Sequence, residues 1–211
     1  MQNHLTDVEQ RVKRYWYTDG IGELIGGGMF ILMGSYFALQ EFLGQNLLGG
    51  IFQASLILLM IGGMAVSRRL VNTLKTHLTY PRTGYVEYRV DEGYMSWRRL
   101  IVVIFAFGIS ALTMVFVRMF DSIDSIVAVT GVVVAAILVI LRAKVSGLSR
   151  FYLLGAISLL FGLALSISGL PNGYSLGLFY GLMGVCFLFS GGMTLRHFLE
   201  KNPLPPEEQN G

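Results

Sequence analysis

Few residues of this chain have the types and spacing for chemistry. The densest group is Tyr80-Pro81-Arg82-Thr83-Gly84-Tyr85. An arginine presents a planar fork of donors that fits a phosphate, and tyrosine rings settle at a membrane interface. Pro81 sets the backbone and Gly84 permits a turn. Tyr80, Arg82 and Tyr85 therefore form a candidate site for an anionic lipid headgroup or a partner chain. The plain alternative is a rigid turn with its tyrosines in an aromatic belt. Glu23 is the other acidic candidate. It reads as interfacial, and it becomes functional if it is buried against an arginine of another helix.

The remaining chemistry is missing. His4, His77 and His197 lack the HxxxH or HxxE spacing of a metal site, so no metal is expected. Cys186 is a single thiol, which excludes an intrachain disulfide and reads as a small packing residue. No GxSxG, P-loop, GxGxxG or paired-carboxylate arrangement is present, and no cofactor is expected. No Asp, Glu, Lys, Arg or His occurs in 24–40, 47–66, 100–117, 125–141 or 151–195. Ionisable groups at mid-membrane depth usually mark proton relays and substrate paths. Their absence argues against a proton-coupled pump.

The elements that would carry these residues are apolar. Hydrophobic residues make up 54% of the chain and charged residues 14%, too little charge for a water-facing surface. Six apolar stretches lie near 21–42, 47–66, 100–117, 123–141, 151–168 and 174–195. Threaded from a cytoplasmic N-terminus, they leave 15 of the 16 Lys and Arg inside, with Arg118 alone outside. Basic residues near span ends favour the cytoplasmic side. The same partition accounts for the net charge of +3 without nucleic acid.

Along the chain, residues 1–20 read as a cytoplasmic interfacial amphipathic helix, capped at Thr6 and Glu9 and anchored by Tyr15-Trp16-Tyr17. They hold no apolar segment of the kind a cleavable signal needs. Transmembrane hairpins are expected over 21–66, 100–141 and 151–195. Between the first two, 67–99 forms a cytoplasmic interfacial segment. The second helix continues to about Thr79 and stops at Tyr80-Pro81. Tyr85 to Val90 then alternates as a short strand, with Tyr94 to Trp97 as a possible return strand. A short loop spans 142–150, and 196–211 is a flexible cytoplasmic tail. Gly22 and Gly26 have GxxxG spacing, Gly27 and Gly34 are a heptad apart, and Gly173, Gly177 and Gly181 make a GxxxGxxxG run. Small residues on one face let helices approach closely in lipid.

Ile61-Gly62-Gly63-Met64 and Ser190-Gly191-Gly192-Met193 are similar segments near the inner ends of the first and third hairpins. The third hairpin runs from Tyr152-Leu-Leu-Gly155 and Gly162 through Gly181-Leu-Met-Gly184 to Gly191-Gly192. Over about 50 residues it resembles a repeat unit of the HdeD-type acid-resistance membrane proteins. The resemblance implies six spans in three short hairpins and a tie to acid stress, and it carries no catalytic residues. The first two hairpins and the 67–99 segment depart from that pattern.

The expected fold is all-α: a polytopic membrane helical bundle of six transmembrane helices in three hairpins, with a small cytoplasmic helix-turn-strand element between spans 2 and 3. The expected location is the cytoplasmic membrane, with both termini cytoplasmic. The expected function is non-enzymatic. The chain would be an integral membrane subunit or scaffold that packs with other membrane chains, or with itself, and presents 67–99 to a partner or lipid headgroups. The alternative is a transporter or channel for a small neutral or lipidic solute, with Ser35, Gln53, Ser55, Ser110, Thr113, Thr130 and Ser158 along its path. A membrane enzyme using Glu23, His77 or Arg82 ranks third.

Overall fold

In the computed structural model, residues 18–44, 47–83, 125–143 and 148–203 are described. Five long or medium helices and one short one account for nearly all of them. Helix α1 is Ile21–Leu43 and α2 is Leu47–Leu74. A π-helical turn, Lys75–Thr79, joins α2 to the short α3, Tyr80–Thr83. Helix α4, Ser125–Ile137, ends in a second π-helical turn, Leu138–Ala143. Helix α5 is Arg150–Ser166 and α6 is Asn172–Lys201. No strand occurs among the described residues.

The six-span bundle is overturned. Among the described residues, two helices, α1 and α6, are long and apolar enough to cross a membrane. The apolar helices over Ile126–Ile140 and Arg150–Ser166 are shorter. A hydrocarbon core of ~30 Å takes about 20 helical residues. Apolar character alone made 123–141 and 151–168 look like spans, but α4 gives way to a π-helical turn at Leu138 and α5 stops short of 168. Helix α5 has 17 residues and gives way to the positive-φ turn at Gly169. The third expected span, 100–117, lies outside the described residues, as do the 6–17 helix and both expected strands.

The inner end of the second helix also differs. Tyr80-Pro81 does not stop the helix, which runs on through Thr83. The π-turn is the physical reason. Its wider ring sends the Tyr80 N–H back to the Lys75 carbonyl, and the register slips just ahead of Pro81, where a donor is missing.

Two antiparallel helix pairs organise the rest. Helix α1 runs along α6 over most of its length, and α4 packs on α5. Glycines make both contacts. Gly20, Gly27 and Gly34, each seven residues from the next, face Gly191, Gly184 and Gly177, also seven apart. A Cβ at Gly34 would lie 2.7 Å from the Gly177 carbonyl, and one at Gly184 would lie 2.8 Å from that of Gly27. A seven-residue repeat keeps one seam facing the partner over several turns. In the second pair, a Cβ at Gly131 would lie 2.9 Å from the Cα of Gly162. The apolar core sits between the pairs: Val127, Val134 and Leu138 of the α4 segment, Phe151 and Leu154 of α5, and Phe179, Met183 and Phe187 of α6.

The surface carries what a soluble interior would hide. Phe42, Leu58, Ile167 and Phe189 are each at least 70% exposed, and Leu153, Leu160, Ile61 and Met193 are also outside. The interior holds Asp19, Glu23, Lys75, Thr79, Ser158 and Ser175.

Candidate functional site

The functional candidate grows from the turn that starts α1. Gly20 sits at φ +73, and a Cβ there would come within 2.5 Å of the Gly191 carbonyl. Only glycine combines that left-handed backbone with so close an approach. The turn directs Asp19 back into the protein. Its Oδ1 accepts the Ile21 N–H at 3.2 Å. Its Oδ2 is 3.1 Å from Lys75 Nζ and accepts the Thr79 hydroxyl at 3.2 Å. Lys75 and Thr79 are the two ends of the π-turn, both buried. The turn thus brings a base and a hydroxyl onto one carboxylate.

One helical turn further along α1, Glu23 makes the second pair. Its Oε1 lies 2.6 Å from Arg150 Nη2, and its Oε2 accepts the Ser190 hydroxyl at 2.6 Å. Arg150, the first residue of α5, also donates from Nη1 to Thr194 Oγ1 at 2.9 Å and lies over the Phe151 ring. Thr194 in turn donates to the Ser190 carbonyl at 2.8 Å. Gly191 lets the backbones close here: a Cβ on it would lie 2.7 Å from the Leu24 nitrogen. Both carboxylates therefore have each oxygen engaged, which is what keeps a buried charge tolerable. The ends of α1, α2, α5 and α6 meet in one clasp.

The sequence singles out Glu23 on a condition, burial against an arginine of another helix, and Arg150 meets that condition. Asp19, Lys75, Arg150, Ser190 and Thr194 were missed. Lys75 and Arg150 enter the sequence reading only among the 15 basic residues placed inside. The available signal was two acids four residues apart at a span end beside a glycine.

The other named residues fall out as follows. Tyr80 and Arg82 are half-buried, and Arg82 donates from Nη1 to the Leu78 carbonyl at 2.8 Å. Its Nε is buried with no hydrogen-bond partner. Tyr85 lies outside the described residues. His77 bonds to the Thr73 carbonyl of its own helix. Among the packing glycines, Gly173 and Gly177 face α1, and the Gly181 backbone nitrogen lies 2.7 Å from where a Gly34 Cβ would be. A Cβ at Gly181, Gly22 or Gly26 would meet nothing within 4 Å. Gly27 and Gly34 form the α1 side of the seam instead. The Gly-Gly-Met segments also differ in setting: Gly191 meets backbone, whereas a Cβ at Gly62 would meet open space. At the far end of α1, Glu41 accepts the Gly173 N–H at the start of α6, where a carboxylate complements the helix dipole.

Of the groups named for a polar path, Ser110 and Thr113 lie outside the described residues. Ser55 and Thr130 donate to carbonyls of their own helices, Phe52 and Ile126. Ser158 instead donates across to the Gly131 carbonyl at 2.9 Å and fastens α5 to α4. No group of three or more His, Cys, Asp or Glu is placed to hold a metal among the described residues. Comparison with known protein families, curated proteins and solved structures finds no match to this chain.

Proposed function

We propose that this chain is a non-enzymatic integral membrane subunit or scaffold. In this reading it resides in the cytoplasmic membrane, with the clasp end and both termini on the cytoplasmic side. It packs with other membrane chains or with itself and presents the 67–99 segment to a partner or to anionic headgroups. The observation that carries the reading is the apolar exterior: large apolar side chains stand outside on α2, α5 and α6, while a few charged and hydroxyl groups are buried beside the apolar core. In water that exterior costs about 25 cal/mol per Å² of apolar surface, a cost that lipid removes. Two helices long and apolar enough to cross a bilayer agree with it. Tyr80, Arg82 and Tyr85 remain the candidate contact of the inner segment.

The test is purification in mild detergent, with mass spectrometry of the proteins and lipids that accompany the chain. An Arg82→Ala variant should fold normally and lose about tenfold in partner or lipid association, the scale of a charge-assisted contact. Unchanged association would leave Arg82 only its bond to the Leu78 carbonyl.

The second reading, a transporter for a small solute, gains from one observation. Buried ionisable groups at the clasp, Asp19 with Lys75 and Glu23 with Arg150, are the kind of group that marks solute paths in membranes. Solute-dependent uptake into liposomes would favour it.

A further inference from the structure

We infer that the charge clasp is a latch between two internally rigid bodies, the glycine-seamed pairs α1/α6 and α4/α5. The inference holds for a scaffold and for a transporter alike. Within each pair the contact is backbone against backbone: Gly34 on Gly177 and Gly27 on Gly184 in one, Gly131 on Gly162 in the other. Ring pairs flank the first seam, Phe30 with Tyr180 and Phe187, and Phe37 with Tyr180, and the close backbone approach resists sliding, so each pair moves as a unit. Among the described residues, two kinds of contact join the pairs. In the middle lie side chains of Phe, Met, Leu and Val. At one end Arg150 of α5 reaches Glu23 of α1 and Thr194 of α6.

Helix α2 is tied to the same end by Lys75 and Thr79 on Asp19. A buried ion pair is weak as a source of stability but strong as a choice between two arrangements, because each charge accepts only a matching neighbour. Losing the pair frees α5 to swing from α1 and α6 at that end, about the apolar contacts further along. The closed form is the structure described above. The open form separates Arg150 from Glu23 and exposes Ser190 and Thr194.

The test uses spin labels on two exposed positions that flank the clasp, Leu153→Cys on α5 and Met193→Cys on α6, with Cys186→Ser, in lipid nanodiscs. Electron–electron dipolar spectroscopy then reads the distance between them. With the clasp intact, one short distance should dominate, since a minor state of a two-state element holds roughly 0.1–10% of molecules. The Glu23→Gln/Arg150→Gln variant removes both charges, leaves no uncompensated ion, and keeps polar groups for Ser190 and Thr194. It should retain its helical circular dichroism and shift most molecules to a longer distance. Glu23→Asp with Arg150 intact should remain closed. A double glutamine variant that folds and keeps the wild-type distance overturns the latch. Failure of the double glutamine variant to fold also overturns it, since a latch requires a folded open form.

Discussion

At the residue scale, the clasp and the seam make opposite demands. The clasp needs charge matched to charge in a place with little water. Asp19→Ala leaves Lys75 buried without its carboxylate, and removing one partner of a buried pair costs about 3–5 kcal/mol. A clear fall in thermal stability in detergent is expected, and a wild-type melting curve would contradict burial of the pair. The seam needs the absence of side chains. Gly34→Leu should force α1 from α6 and cost about 1–3 kcal/mol, as overpacking does. Gly22→Ala, with open space at its Cβ, should be neutral or stabilising by up to about 1 kcal/mol, because alanine favours helix over glycine. Equal melting temperatures for the two variants would refute the assignment of the packing face. Sequence spacing alone could not choose between these glycines. Gly22 and Gly26 carry the familiar four-residue spacing, whereas a long antiparallel seam repeats every seven residues, as at Gly20, Gly27 and Gly34.

At the element scale, the π-turn is the departure that matters. Helical periodicity through Leu70, Val71, Leu74 and Leu78 correctly extends the second helix past its apolar stretch. The proline rule then ends it at Tyr80, and that step fails. The rule counts a missing donor against an α-helical register, and the π-turn has already shifted that register. Pro81→Ala should therefore leave helical content by circular dichroism unchanged and stability within about 0.5 kcal/mol. A large gain in stability would mean that Pro81 strains the turn. The same π-turn places Lys75 and Thr79 on Asp19, so a local irregularity is what assembles half of the clasp.

At the scale of the whole molecule, large apolar side chains face outward and four helical segments converge at the clasp. Lys75, Arg150, Arg196 and Lys201 gather at that end while Glu41 stands at the other, which predicts that the convergence faces the cytoplasm. In a Cys186→Ser background, an impermeant thiol reagent added outside cells should modify Asn172→Cys and spare Asn202→Cys. The reverse pattern would invert the orientation, and labelling of both would argue against a sealed span between them. Helix α6 joins the two positions, and its 30 residues reach ~45 Å, more than a bilayer core.

The amino-acid sequence by itself determined that the chain is helical and apolar, where α1 and α6 run, and that small residues would pack them. These follow from composition and local periodicity, which act within a few residues. It also marked Glu23 as functional on condition of burial. Tertiary structure alone decided that condition, because burial of Glu23 depends on Arg150 and Ser190, 127 and 167 positions away. It decided which glycines meet, since a helix offers several small-residue faces and only the partner selects one. Among the described residues it also left only two helices long and apolar enough to span, because hydropathy records how apolar a stretch is and not where its helix ends. Those ends are set by turns, such as that at Gly169, and by neighbouring helices.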